Sequence, residues 1–117
     1  MNRLTLAEFR VRAEEYAAAV AATPGVCEFC SGPLWQLAAR AHLQSANATE
    51  EDTFIVERDG VWLLFAAQEP TGIHFSLEAS WMFGCPLAGD PGAAVALLCD
   101  AARAEGQTQG RHLAFFI

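Results

Sequence analysis

Four cysteines and three histidines are the side chains here most suited to chemistry, and their spacing limits what they can do. Cys27 and Cys30 form a single C-x-x-C pair. A structural zinc site needs four ligands. Cys85 and Cys99 are far apart in the sequence, and the helical pattern around Cys99 puts it on an inner face. No second ligand pair forms, so no bound metal is expected; Cys27 and Cys30 would be the ligands if there were one. Cys30 stands beside a helix N-terminus, which lowers a thiol pKa and favours redox chemistry. Redox pairs of the thioredoxin type follow a strand, whereas a helix and a linker precede this one. The remaining reading is a pair of small buried apolar residues. His42, His74 and His112 have no metal-ligand spacing to one another, and no G-x-S-x-G nucleophile elbow is present. Glu14-Glu15 reads as a solvated helix face. One loop has phosphate-binding character: Gly84-Cys85-Pro86-Leu87-Ala88-Gly89-Asp90-Pro91-Gly92 leads into a helix N-terminus, where free amides attract anions. It lacks both G-x-G-x-x-G and a P-loop lysine, and Asp90 repels an anion. Gly84, Gly89 and Gly92 are its candidate cofactor-binding positions. No residue set qualifies as catalytic.

The elements that must position these residues are legible from period and punctuation. Thr5-Leu6-Ala7-Glu8 is a capping box, with Leu4 and Phe9 spaced as a hydrophobic staple. Leu6, Phe9, Ala13, Tyr16 and Val20 continue as one helical stripe, and Thr23-Pro24-Gly25 stops it. Ser31 and Pro33 open a second helix, to about Leu43, with Leu34, Leu37, Ala38 and Ala41 inside. Strands follow at Thr53–Arg58 and Val61–Gln68, joined by Asp59-Gly60, a strong hairpin signal. A third strand, Ile73–Ala79, follows the turn Glu69-Pro70-Thr71-Gly72. Trp81–Gly89 reads as a packed loop. Asp90-Pro91 caps a third helix with Val95, Leu98, Cys99 and Ala102 on one face, ending at Gly106. His112–Ile117 reads as a buried strand, paired parallel through a right-handed crossover. The expectation is one α+β domain over residues 1–117 in the order ααβββαβ, with a four-stranded mixed sheet.

Composition narrows the function classes. Fourteen acidic against seven basic residues give a net charge of −7, and every basic residue is arginine. That charge repels nucleic-acid backbones and anionic membranes. A hydrophobic fraction of 53% with 18% charged residues fits a folded core rather than disorder. Charges at Arg3, Glu8, Arg10, Arg12, Glu14 and Glu15 interrupt any apolar leader, and no run approaches membrane-spanning length. The expected location is the cytoplasm.

Two segments together resemble a known family. They are Phe29-Cys30-Ser31-Gly32-Pro33-Leu34-Trp35-Gln36-Leu37-Ala38-Ala39 and Trp81-Met82-Phe83-Gly84-Cys85-Pro86-Leu87-Ala88-Gly89. They are similar to the amino-terminal half of GNAT-superfamily N-acetyltransferases of the kind associated with bacterial cellulose biosynthesis. The resemblance implies two helices, three antiparallel strands, a helix and a strand. It also implies acetyl-CoA as cofactor and a pyrophosphate loop of the form Q/R-x-x-G-x-G/A, which residues 82–92 do not carry. The family fold continues beyond the position of Phe115, so the resemblance covers half of it.

Three functional readings follow. The first is a non-catalytic GNAT-like half-domain acting through protein–protein contacts. The second is a small acidic binding protein, such as a secretion chaperone or an inhibitor. The third is a CoA-dependent acyltransferase completed by oligomerisation. The expected contact residues are Trp81, Phe83, Phe115, Phe116 and Ile117, because exposed apolar surface and an uncharged edge strand invite pairing. The expected partner is a second copy of the chain or another protein.

Overall fold

The structure is a computed structural model that describes residues 1–25, 32–38, 54–69, 72–76, 87–108, 110 and 113–116. Its elements in chain order are β1 (Asn2–Leu4), α1 (Leu6–Val11) and α2 (Ala13–Ala21), followed by helical residues 33–38, here α3. Then come β2 (Ile55–Arg58), β3 (Val61–Leu64), β4 (Ala66–Glu69), β5 (Gly72–Ser76), β6 (Leu87–Ala88), α4 (Pro91–Thr108) and β7 (Leu113–Phe116). The class is α+β, and helices precede antiparallel strands, with a helix after them, as the sequence predicts. Among the described residues the strands form two sheets rather than one. The first has four strands in the order β1-β2-β3-β6, and the second has three in the order β4-β5-β7.

The N-terminal helices begin where the side chains dictate. Thr5 Oγ1 accepts from the Glu8 amide at 3.2 Å, and Glu8 Oε2 accepts from the Thr5 amide at 2.7 Å, which closes the capping box. Phe9, Tyr16 and Val20 are buried along the predicted stripe. The single helix expected here is broken at Arg12, whose φ of −100° and ψ of 17° leave helical geometry. Arg12 is at once the C-cap of α1 and the N-cap of α2.

The four-stranded sheet is buried on both faces. Asp59 and Gly60 adopt φ of 53° and 80° and turn β2 into β3, with Arg58 opposite Val61. Positive φ at both central positions is the twist-matched hairpin turn, which suits Asp-Gly. Because side chains alternate across a strand, Ile55, Trp62 and Leu64 pack with Leu4, Phe9, Tyr16 and Val20 on one side. Phe54, Val56, Val61, Leu63 and Phe65 pack against Ala94, Leu97 and Ala101 of α4 on the other. The rings of Phe9, Tyr16 and Trp62 meet edge to face, with centroids 4.9 to 6.1 Å apart.

Several boundaries differ from expectation for identifiable reasons. The strand predicted over 61–68 is two strands, because the partner changes at Phe65. The Phe65 amide bonds back to the Phe54 carbonyl at 2.9 Å, and its ring stacks on that of Phe54 at 4.8 Å. Beyond it, β4 pairs antiparallel with β5, with a register shift between Ala67 and Glu69. β7 runs parallel to β5, with Ile73 opposite Leu113 and Ser76 opposite Phe116. β1 and β6 were not anticipated; Leu87-Ala88, assigned above to a loop, pairs with Leu63 and Trp62. The buried face of α4 is Ala94, Leu97, Ala101 and Glu105, not the predicted Val95, Leu98, Cys99 and Ala102. Of these, Leu98 is only partly buried, and Val95 is 63% exposed. α4 also runs through Gly106 to Thr108, since one glycine costs a helix only about 1 kcal/mol.

Candidate functional site

Of the positions expected to carry function, Cys27, Cys30, Trp81, Phe83, Gly84 and Ile117 lie outside the described residues, as do His42, Cys85 and His112. Gly89 and Gly92 lie at the entry to α4, and Phe115 and Phe116 lie in β7. His74 lies in β5. Cys99 is exposed on α4 rather than on its inner face. Among the described residues no group of three or more His, Cys, Asp and Glu side chains is placed to hold a metal ion.

The entry to α4 is built from partners already in hand. Asp90 Oδ2 accepts the Ala93 amide at 2.8 Å, an N-cap contact. The Gly89 amide donates to Thr23 Oγ1 at 2.8 Å, and the Thr23 hydroxyl donates to the Ala19 carbonyl at 2.6 Å. Thr23 therefore ties the end of α2 to the loop before α4. Gly89 has a φ of 109°, and a Cβ there would stand 3.0 Å from both the Gly60 carbonyl oxygen and Val61 Cα. Glycine is required at this position by close backbone approach to the β2–β3 turn. The Gly89 and Ala93 amides are thus engaged by Thr23 and Asp90, and the Asp90 carboxylate adds negative charge at the N-terminus of α4.

The sheet edges differ in how they are protected against pairing with another chain. β1 has three residues and carries Arg3; β6 has two residues. β4 carries Glu69 and an irregular register. Short length, charge and bulges are the usual devices that blunt an edge. β7, the remaining edge, has four residues, Leu113-Ala114-Phe115-Phe116, with no charge and no proline. It pairs with β5 in continuous register and with no other strand among the described residues.

Sequence reasoning missed three arginine-containing ion-pair clusters that hold the layers together. Arg12 Nη2 lies 2.9 Å from Glu57 Oε1 and 2.6 Å from Glu15 Oε2, and its guanidinium stands 4.9 Å from the Trp62 ring centroid. Glu57 also accepts from Asn2 Nδ2 at 3.2 Å. The hydrogen bonds to Glu15 and then Glu57 push the Arg12 pKa up, and the bond from Arg12 holds Glu15 below the usual carboxylate range. On the other face Arg3 pairs with buried Glu105 at 3.2 Å and stacks over Phe54 at 4.0 Å. At the surface Arg58 and Arg103 bracket Asp100 at 2.6 and 3.0 Å. The hydrogen bond from Arg58 chiefly depresses the Asp100 pKa. These ion pairs fix positions within and between elements, and none lines up a nucleophile with a base.

No helix among the described residues is long and apolar enough to cross a membrane. No protein-family model, curated protein or solved structure matches the chain.

Proposed function

We propose that this chain is a non-catalytic binding module, half of a GNAT-like fold, that acts through protein contact along the β7 edge. The observation that carries the reading is the contrast among edges: three are blunted by length, charge or bulge, and β7 is not. An unblunted, uncharged edge offers its backbone to another strand. The GNAT-like part of the reading rests on the resemblance carried by residues 29–39 and 81–89. The engaged amides at Gly89 and Ala93 favour binding over acyl transfer. The partner is a second copy or another protein. The acidic balance of −7 favours neither nucleic acid nor an anionic membrane.

Light scattering at micromolar concentration tests the contact. The parent chain is expected to associate, and Phe115→Lys and Phe116→Lys to be monomeric with unchanged far-ultraviolet circular dichroism. The two variants place a charge at each aromatic position of the β7 segment. A parent chain that stays monomeric, alone and with host extract, would overturn the reading. Micromolar binding of acetyl-CoA by calorimetry would favour an acyltransferase completed by oligomerisation instead.

A further inference from the structure

We draw no further inference here: the strongest candidate, the uncharged outer edge of β7 taken as a two-fold pairing surface for a second copy of the chain, belongs to the contact already proposed, and nothing in the structure shows what covers it.

Discussion

Replacing Arg12 with methionine keeps the aliphatic stem and removes the charge that joins the helical layer to the sheet. Glu57, whose side chain is only 8% exposed, then loses its ion-pair partner. Breaking a fully enclosed pair costs about 3–5 kcal/mol, because a desolvated charge is left behind. Two features reduce that here. The Arg12 side chain is 27% exposed, and Glu57 keeps its bond from Asn2. About half the enclosed value remains, and loss of the guanidinium over Trp62 adds about 0.5–1 kcal/mol. The expected destabilisation is about 2–3.5 kcal/mol, which lowers a urea midpoint by about 1–2 M for a chain of this size. Urea titration followed by both circular dichroism and tryptophan fluorescence measures it. Arg12→Met, Glu57→Gln and the double variant complete a cycle, and the coupling is expected to be of the same sign as the ion pair. Glu15→Gln removes only the exposed partner and is expected to change stability little. A loss under about 0.5 kcal/mol for Arg12→Met, or no coupling in the cycle, would refute the reasoning.

Gly89→Ala combines a left-handed backbone with 3.0 Å contacts to backbone atoms, so a loss of about 2–4 kcal/mol is expected in denaturant titration. Gly60→Ala has positive φ but open space, and its expected loss is smaller, about 1–2 kcal/mol; equal losses would contradict the close-approach account. Asp90→Ala removes the N-cap of α4 and is expected to cost about 1 kcal/mol by thermal melting. The depressed Asp100 pKa gives a signed pH effect. Its contribution is present above the ordinary aspartate value of about 3.9 and fades as pH falls through the lower folded value. Asp100→Asn should therefore melt below the parent at neutral pH, with the gap closing in acid; a gap independent of pH would exclude the ion pair as its cause.

Signals whose two partners lie within a few residues were legible in the sequence. Thr5 and Glu8 cap α1, Asp59-Gly60 turns the hairpin, and Asp90-Pro91 opens α4, because each depends on local backbone geometry. The stripe of Phe9, Tyr16 and Val20 was legible for a related reason. Its large apolar residues leave one choice of buried face. α4 offered no such choice. Alanines surround it at 93, 94, 96, 101, 102 and 104, so its rotation was set by packing against Phe54, Val56 and Leu63 rather than by its own period. That rotation turned Cys99 outward and left Glu105 inside, where Arg3 meets it from the far end of the chain.

The candidate site divides in the same way. An uncharged Leu113–Phe116 segment and a capped α4 could be read directly, whereas the status of β7 as an edge, and the use of the Gly89 amide by Thr23, could not. Composition and local spacing by themselves determined the α+β class, the turns and the helix starts, since these follow from interactions a few residues long. The division into two sheets, the break at Arg12 and its bond to Glu57, and the contrast among the edges of the described strands were decided only in three dimensions. Each depends on which distant segments meet, and a hydrogen bond or ion pair between residues 45 or 66 positions apart leaves no periodic trace in the chain.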